Sequence, residues 1–386
     1  MKVTKIDTFV IKAPTHDRFG GQTSKPNPFR GSDYYQEAEW REFYSRLTET
    51  LLIRVETDEG LYGWGESQAP LVPEVAKDIV DRLLTPALLG CDPRETSVLW
   101  DRMYHSMNVR GQISGFMLDA ISGIDIAFWD IKGKAAGVSI ASLLGGPFCN
   151  RLPIYVSGLR AATAELRAEL AERYFADGFA GVKMFQGKGF QEDIAEAKTI
   201  RQKVGNGKRI FSDLFWRYTL PEAERIGRAY EELAIEWIEA PLSPEDIRGH
   251  AKLAEALQVA IAVGEPLRTR YQFLDWFEAR ALDIAQPDVA RCGITEGKRI
   301  SDLASAWHLP VAYHTGVSLG VSIAATWQLS AATADLYIIE HQPPEFELSA
   351  LFLVPPLEIV HGQAVLPDGP GLGIDVNTDS LHRLVS

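Results

Sequence analysis

Between LPIYVSG at residues 152–158 and LYIIEH at residues 336–341, short apolar runs alternate with longer segments of helical spacing. The eight runs are LPIYVSG (152–158), FAGVKMF (179–185), RIFSD (209–213), EWIEAP (236–241), AIAVGEP (260–266), LDIAQPD (282–288), VAYHTG (311–316) and LYIIEH (336–341). Short apolar runs separated by helices are typical of buried parallel strands. Eight of them in succession predict an α/β fold, a closed (β/α) barrel of the TIM type.

A polar or ionisable residue closes each of seven consecutive predicted strands. These residues are Lys183, Asp213, Glu239, Glu265, Asp288, His314 and Glu340. They follow one another at intervals of 23 to 30 residues, about one βα unit each. In such barrels the C-terminal strand ends meet at one mouth, where active sites are built. Any one of the seven could be an ordinary rim residue, but their common register predicts a functional site.

Asp213, Glu239 and Glu265 would end three adjacent strands. Three carboxylates held together repel one another and raise one another's pKa unless a cation lies between them. Oxygen ligands favour Mg²⁺ or Mn²⁺ over zinc, so we expect one divalent metal ion, Mg²⁺ first. Glycoside hydrolysis is a weaker alternative, because it needs two carboxylates and not three.

His314 and Asp288 end the seventh and sixth predicted strands and could form a hydrogen-bonded dyad. In such a pair the carboxylate orients the imidazole and supports its protonated form. The other histidines show no such register, although His16 lies in a polar N-terminal loop and is a candidate for substrate contact.

The residues before the barrel predict a smaller α+β domain. Strand-like runs at 3–11 and 48–60 flank a polar stretch at 15–41, and helical spacing follows from 72 to 141. We therefore expect an N-terminal α+β capping domain at 1–145 and a barrel at 146–355. A Gly- and Pro-rich segment at 356–386 is expected to pack back on the capping domain.

Composition narrows the possible partners and the compartment. A net charge of −13 over 386 residues argues against nucleic acid and anionic membranes, and leaves a small anionic substrate that meets a local cation. Three distant cysteines, Cys91, Cys149 and Cys292, fit a reducing compartment better than a disulfide framework. With no long apolar segment, the expected location is the cytoplasm.

Several short motifs carry a resemblance to a known family over nearly the whole chain. They are GWGES (63–67), SGIDIAFWDIKGKAAG (122–137), LLGG (143–146), Lys183, Asp213, IEAP (238–241), GEP (264–266), QPD (286–288), His314 and IIEH (338–341). In these motifs the chain resembles the enolase superfamily, specifically its mandelate racemase and muconate lactonizing group.

This resemblance implies a modified, (β/α)7β-like barrel and a role for each strand-end residue. Asp213, Glu239 and Glu265 would bind one Mg²⁺ per subunit, and the Asp288–His314 pair would be the acid/base. Lys183 and a protonated Glu340 would hold the substrate carboxylate and stabilise an enediolate. The resemblance also implies a homo-oligomer.

Two positions depart from the pattern of the family. Many racemases and cycloisomerases of this group carry Lys-x-Lys on the second strand, where this chain has Lys183-Met184-Phe185. Phe215 also replaces the Asn or His often found two residues after the first metal ligand. With one base, syn β-elimination of water from a sugar acid becomes the predicted reaction. An epimerase, racemase or lactone cycloisomerase, and a non-catalytic metal or ligand binder, remain the alternatives.

Substrate contacts are expected from the polar N-terminal loop and from residues beside the ligand strands. The loop candidates are His16, Arg18, Lys25, Arg30 and Tyr34. The barrel candidates are Phe185, Trp216, Tyr218, Arg268, Arg270 and Arg291. Each could equally be a solvated or packing residue.

Overall fold

A computed structural model describes residues 1–14, 33–36, 42–381 and 384. Its first part combines a three-stranded antiparallel sheet, a short hairpin and several helices, as predicted for an α+β cap. The strands are β1 (Val3–Pro14), β2 (Tyr34–Gln36), β3 (Phe43–Ser45), β4 (Leu47–Thr57) and β5 (Tyr62–Ser67), with the order β1-β4-β5 and with β2 paired to β3. The helices are α1 (Pro73–Ile79), α2 (Thr85–Leu88), α3 (Thr96–His105), α4 (Phe116–Ala136) and α5 (Ile140–Leu143), with a π-helical turn at Val80–Leu84 and a 3-10 turn at Asn108–Arg110.

Strand β5 and helix α4 approach so closely that side chains do not fit between them. A β-carbon added to Gly63 would lie 2.2 Å from the carbonyl oxygen of Ala127. One added to Gly65 would lie 1.8 Å from the carbonyl oxygen of Gly123. Because these contacts involve backbone atoms, a larger residue would force the sheet and the helix apart. The glycines of GWGES are therefore packing residues, and they hold this motif against the long helix.

The second part is a barrel of eight parallel strands that closes by pairing its last strand with its first. The strands are β6 (Arg151–Ser157), β7 (Gly181–Phe185), β8 (Arg209–Asp213), β9 (Trp237–Glu239), β10 (Ala260–Val263), β11 (Ile284–Ala285), β12 (Val311–Tyr313) and β13 (Leu336–His341). The helices between them are α6 (Ala164–Ala176), α7 (Phe190–Val204), α8 (Leu220–Glu232), α9 (Ile247–Ala256), α10 (Arg270–Glu278), α11 (Val289–Ala306) and α12 (Gly320–Ala331), and the short α13 (Pro343–Ser349) follows the last strand. All eight predicted strands are confirmed. No helix among the described residues is both long enough and apolar enough to cross a bilayer.

Alternation along the strands sorts the inward side chains of the barrel into layers. The lower layer is apolar and contains one residue from each of seven strands: Tyr155, Phe211, Trp237, Ala262, Ile284, Ala312 and Ile338. Because the side-chain period of a strand is two, the residue two positions later faces the same interior. On four of these strands that residue is Asp213, Glu239, His314 or Glu340. These four polar strand ends therefore lie one layer above apolar side chains in the barrel interior.

Buried carboxylates of the first part cap helices of the barrel. Helix α11 is interrupted at Gly293, whose φ is 76°. Just after the break, Asp125 of α4 accepts hydrogen bonds from the backbone N–H and the Oγ1 of Thr295, at 2.8 and 2.6 Å. Glu66 of β5 accepts a hydrogen bond from the backbone N–H of Leu319, at 2.5 Å, where α12 begins. Side-chain acceptors satisfy the free N–H groups of helix starts. Because these acceptors belong to the first part and the helices to the second, the contacts also join the two parts.

The chain after the barrel contacts both parts. Its elements are β14 (Leu353–Val354), β15 (Glu358–Val360), β16 (Gln363–Val365), β17 (Asp375–Val376) and α14 (Thr378–Leu381). Strand β16 pairs antiparallel with the start of β6. Asp375 accepts hydrogen bonds from the hydroxyl of Tyr62, at 2.5 Å, and from Nε1 of Trp64, at 2.9 Å. The tail therefore contacts the first part and also extends the sheet at β6. The domain boundaries predicted at 145 and 355 stay predictions.

Candidate active site

The seven polar residues predicted from the sequence meet at one end of the barrel. They lie within β7, β8, β9 and β13 or one to three residues after the ends of β10, β11 and β12. Five of them line a cavity of about 240 Å³: Lys183, Asp213, Glu265, His314 and Glu340. Glu239 and Asp288 do not line the cavity, but each is hydrogen-bonded to a residue that does. Glu239 contacts Lys183, and Asp288 contacts His314. The structure thus brings the whole predicted set together.

Lys183 lies between carboxylates of three strands. Its side chain is 1% exposed, and its Nζ is 2.6 Å from Glu239 Oε1 and 3.0 Å from Glu340 Oε1. Asp213 Oδ2 lies 3.4 Å from the same nitrogen. Burial alone would lower the pKa of Lys183, but the charges of Glu239 and Glu340 raise it well above its usual value. The side chain is therefore a cation. A cationic lysine can act as an electrophile, whereas a lysine that acts as a base must be neutral.

The three carboxylates predicted to bind metal each have a donor in this structure. Nε2 of Gln286 donates to Glu239 Oε2 at 2.7 Å, and Nε1 of Trp216 donates to Glu265 Oε1 at 2.7 Å. Asp213 faces Lys183 with one oxygen. Burial, and then the charge of Glu239, raises the pKa of Asp213 well above its usual value.

The donor chemistry fits a hard divalent cation. All three groups are carboxylates, which Mg²⁺ prefers, and the pKa of Asp213 is raised by burial and by the charges of Glu239 and Glu265 despite the nearby Lys183. Within the part of the chain that the structure describes, however, no group of three or more His, Cys, Asp or Glu side chains is arranged to hold a metal ion. Asp213 and Glu239 contact Lys183 in this arrangement, and the assignment of the three carboxylates as metal ligands stays a prediction.

His314 and Asp288 form the expected dyad. Nδ1 of His314 is 2.7 Å from Asp288 Oδ2, and Asp288 Oδ1 accepts a hydrogen bond from the backbone N–H of Ala290 at 2.9 Å. The other ring nitrogen, Nε2, lies 3.2 Å from Glu265 Oε2 and 3.8 Å from Glu340 Oε2. Burial would lower the pKa of His314, but the charge of Glu340 and the hydrogen bond to Asp288 raise it well above its usual value. The dyad therefore aims one ring nitrogen at the carboxylates of the cavity.

The neighbours of Glu340 bear on the expectation that it stands protonated. Burial alone would raise its pKa, but the positive charges of Lys183 and His314 lower it below the usual value. The backbone N–H of Thr315 also donates to Glu340 Oε2 at 2.9 Å. The lowered pKa favours the ionised form in this arrangement, and the protonated form implied by the resemblance stays a prediction.

Phe185 and Phe215, the two departures from the family pattern, contact each other at the cavity. Their ring centroids are 5.3 Å apart and their planes are inclined by 82°. Phe185 also packs on Gly158, where an added β-carbon would lie 2.5 Å from the ring. We call this apolar surface the Phe185–Phe215 wall. Trp216 lines the cavity beside it, as predicted, whereas the hydroxyl of Tyr218 bonds elsewhere.

Of the three barrel arginines proposed as substrate contacts, Arg291 lines the cavity. Its Nη1 donates to the carbonyl oxygen of Glu265 at 2.7 Å, and its Nε donates to Oε1 of Gln68. Arg268 and Arg270 instead pair with acidic residues away from the cavity. For these two residues the structure shows the alternative of pairing, because neighbouring carboxylates hold their guanidinium groups.

The candidates in the N-terminal loop fall almost entirely outside the described residues. They are His16, Arg18, Lys25 and Arg30, whose substrate contacts stay predictions. Tyr34 is described, and its hydroxyl donates to Glu49 Oε2 at 3.2 Å and accepts from the backbone N–H of Val72 at 3.1 Å. It therefore supports the capping domain and does not line the cavity.

Three features of the cavity were missed by the sequence reasoning: Gln68, Gln342 and residues 42–45. Nε2 of Gln342 donates to the carbonyl oxygen of Thr315 at 2.8 Å, and its Oε1 accepts from Arg160 Nη2 at 3.0 Å. Residues 42–45 belong to the hairpin β2–β3 and follow the loop that was expected to cover the mouth. Gln68 comes directly after GWGES, and Gln342 comes two residues after the last polar strand end. This proximity to the motifs was the available signal.

Two family models match the chain. The model "Mandelate racemase / muconate lactonizing enzyme, N-terminal domain" covers residues 45–145, and the model "Enolase C-terminal domain-like" covers residues 165–380. Together they include all seven strand-end residues. The chain belongs to the enolase superfamily. The resemblance predicted from its motifs is confirmed.

This enolase-superfamily member is similar to enzymes of more than one reaction type. It is 35% identical over 345 residues to a D-galactarolactone cycloisomerase of Agrobacterium fabrum, covering 86% of this chain and 90% of the relative. It is 34% identical over 334 residues to an arabinonate dehydratase of Saccharolobus solfataricus, covering 85% and 88%. Its structure matches that of an enolase superfamily member from Agrobacterium tumefaciens with a TM-score of 0.94 at 31% identity, over 100% and 99% of the two chains.

Proposed function

We propose that the protein is a Mg²⁺-dependent dehydratase of a sugar acid, an aldonate or aldarate, that forms a 2-keto-3-deoxy acid. The observation that carries this proposal is the one-sided distribution of acid/base groups around the cavity. His314 is the one imidazole among the described residues that line it, and the position of a second base holds Phe185. The similarity to an arabinonate dehydratase supports the same reaction class.

Lys183 is the cation that this chain offers to a substrate carboxylate. Removing a proton beside an ionised carboxylate places a second negative charge on the same two oxygens, so the reaction requires nearby positive charge. Lys183 is held in place by Glu239 and Glu340, at 2.6 and 3.0 Å. These contacts fix the position of the ammonium group, and Lys183 also lines the cavity that a substrate would occupy.

His314 would handle both proton transfers. As the neutral imidazole it would remove the α-proton through Nε2, and as the imidazolium it would protonate the departing β-hydroxyl on the same face. Asp288 holds the other nitrogen at 2.7 Å, which keeps the ring in one orientation through both steps. A Mg²⁺ ion held by Asp213, Glu239 and Glu265 would stabilise the enediolate oxygens and offset the negative charge that now raises the pKa of His314.

A lactone cycloisomerase is the second candidate. The Phe185–Phe215 wall favours it, because an apolar surface suits the C–H face of a ring better than a chain of hydroxyl groups. The similarity to a D-galactarolactone cycloisomerase agrees with this choice. Both candidates share α-proton removal by His314, and they differ in the leaving group, which is water in one and the ring oxygen in the other.

Two further alternatives have less support. Racemisation or epimerisation needs proton transfer on both faces of the α-carbon, and Phe185 offers none. A non-catalytic ligand binder would retain Lys183 and the carboxylates without turnover. The substrate itself, a small anionic sugar acid, and a homo-oligomeric state implied by the resemblance are parts of this proposal that await experiment.

The test is a screen of the purified protein with Mg²⁺ against mono- and diacid sugars and their lactones. Formation of 2-keto acids is followed by a carbonyl reagent and by NMR in deuterated water. We expect a 2-keto-3-deoxy product from at least one open-chain acid and a loss of at least about 100-fold in kcat for His314→Asn. His308→Asn is the matched control, because His308 lies before the N-terminal end of β12 with a φ of 58°, a conformation that asparagine accepts.

The products separate the candidates. A keto acid formed only from lactones would establish the cycloisomerase and reject the dehydratase. Exchange of the α-hydrogen without a keto product would reject both eliminations and favour epimerisation. Metal binding without turnover of any acid would leave a binding protein.

A further inference from the structure

The turn after β8 adopts a backbone conformation that its residues rarely take. Phe215 and Trp216 are consecutive residues with φ values of 50° and 58°, in the left-handed region that favours glycine. Ala240, just after β9, has a φ of 49°. Such residues persist only where the surrounding structure holds them, and they are often found at functional sites.

Backbone hydrogen bonds lock the turns after β8 and β9 to each other. The N–H of Leu214 donates to the carbonyl oxygen of Glu239 at 2.9 Å, and the N–H of Trp216 donates to that of Ala240 at 2.6 Å. The N–H of Tyr218 donates to the carbonyl oxygen of Pro241 at 3.1 Å. The conformation of Trp216 is therefore determined by two neighbouring strands, and not by its own preference.

The Trp216 side chain points from this turn to Glu265, beyond β9. Its Nε1 donates to Glu265 Oε1 at 2.7 Å, while Glu265 Oε2 lies 3.2 Å from Nε2 of His314. The indole packs edge-on against His250, with ring centroids 6.0 Å apart, and His250 in turn packs on Trp276 at 4.8 Å. The indole is thus fixed at both its backbone and its ring, and it holds one oxygen of the carboxylate.

We propose that Trp216 is a positioning residue for the metal: its indole N–H holds Glu265 Oε1 and thereby leaves Oε2 as the oxygen offered to a divalent cation. This inference rests on the proposed role of Glu265 as a ligand. This role would account for the two adjacent left-handed residues in the turn that carries the indole. Substrate contact is not required for this role.

The test measures metal binding directly, with MgCl₂ and no sugar. Isothermal titration should show a dissociation constant about tenfold higher for Trp216→Phe than for the wild type, the effect of losing one hydrogen bond to a charged group. Trp129→Phe is the matched control, because the Trp129 indole also makes one buried hydrogen bond, to Thr295 Oγ1 at 2.8 Å, away from the cavity. It should leave the affinity unchanged.

A measurement on the unmodified chain covers the case in which Trp216→Phe does not fold. In ¹⁵N-tryptophan-labelled protein, the indole resonance of Trp216, assigned from its nuclear Overhauser contact with the His250 ring, should shift on addition of MgCl₂ and saturate with the binding heat. The Trp129 resonance should not move. Equal affinities in a folded Trp216→Phe, or a Trp216 resonance unmoved at saturation, would overturn the inference while leaving the metal site intact. A wild type that binds no Mg²⁺ would overturn both.

Discussion

Replacing Asp125 with asparagine should change how the stability of the protein depends on pH. Asp125 is fully buried in α4 and accepts two hydrogen bonds from Thr295 at the restart of α11. Burial raises the pKa of Asp125 from 3.8 to about 7, and the hydrogen bonds from Thr295 offset only part of this effect. The contact that joins the two domains therefore contains a carboxyl group that is costly to ionise.

The sign and size of the effect follow from this shift. In the unfolded chain Asp125 loses its proton near pH 3.8, whereas in the folded protein it does so near pH 7. Between these values the folded protein binds more protons, so the free energy of unfolding falls as the pH rises, and the full penalty is present above pH 7. Between pH 5 and the folded-state pKa near 7 lie roughly two pH units, so the free energy of unfolding should fall by about 3 kcal/mol from pH 5 to pH 8. The uncharged amide of the Asp125→Asn variant would carry no such penalty, and any hydrogen bond that it loses would count equally at both pH values.

The assay is urea unfolding of the wild type and Asp125→Asn at pH 5, 6, 7 and 8 at constant ionic strength. The difference in unfolding free energy should move by about 3 kcal/mol in favour of the variant across this range. Other titrating groups are common to both proteins and cancel in the difference. Asp78→Asn is the control, because the side chain of Asp78 is 69% exposed, and it should show no trend. A difference between wild type and Asp125→Asn that stays constant from pH 5 to pH 8 would refute the reasoning.

Three further outcomes are expected. Lys183→Met should lower the unfolding free energy by about 3–5 kcal/mol in urea titrations, because it leaves Glu239 and Glu340 buried without their cation; a loss below about 1 kcal/mol would mean that water or rearrangement replaces the lysine. Phe185→Ala should reduce kcat/KM for a lactone about tenfold more than for the matching open-chain acid if the Phe185–Phe215 wall stacks on a ring, and equal losses would contradict that contact. Removal of metal with EDTA should abolish turnover, and added Mg²⁺ should restore it; activity that persists after chelation, with metal content measured, would exclude a required ion.

The barrel was predictable because each βα unit has a recognisable local pattern of apolar and polar residues in the sequence. A run such as AIAVGEP (260–266) is short and mainly apolar, ends beside a charged residue and lies between segments of helical spacing, which is typical of a buried parallel strand. Once the strands are assigned, their parallel arrangement in a closed sheet brings the strand ends together. The convergence of Lys183, Asp213 and His314 therefore follows from period and topology, without knowledge of any contact.

The partners of these residues could not be predicted in the same way. The resemblance implied a neutral Glu340, whereas Lys183 Nζ lies 3.0 Å from its Oε1 and, together with His314, lowers the pKa of Glu340 against the effect of burial. The sequence likewise places Gln68 in the first domain, and only the structure brings its amide to Arg291 across 223 residues. A charge state depends on distances between side chains of different elements, which vary by ångströms without any change in periodicity.

The sequence by itself determined the family, the eight barrel strands and the set of strand-end residues, because strand period and motif spacing are local properties of the chain. The tertiary structure alone decided which oxygen of Glu265 faces Trp216, that Phe185 and Phe215 form one wall, and that Glu66 and Asp125 cap helices of the barrel. Each of these depends on through-space packing between segments far apart in the chain. Electrostatic and van der Waals energies change steeply over such distances, so they are set only when the domains meet.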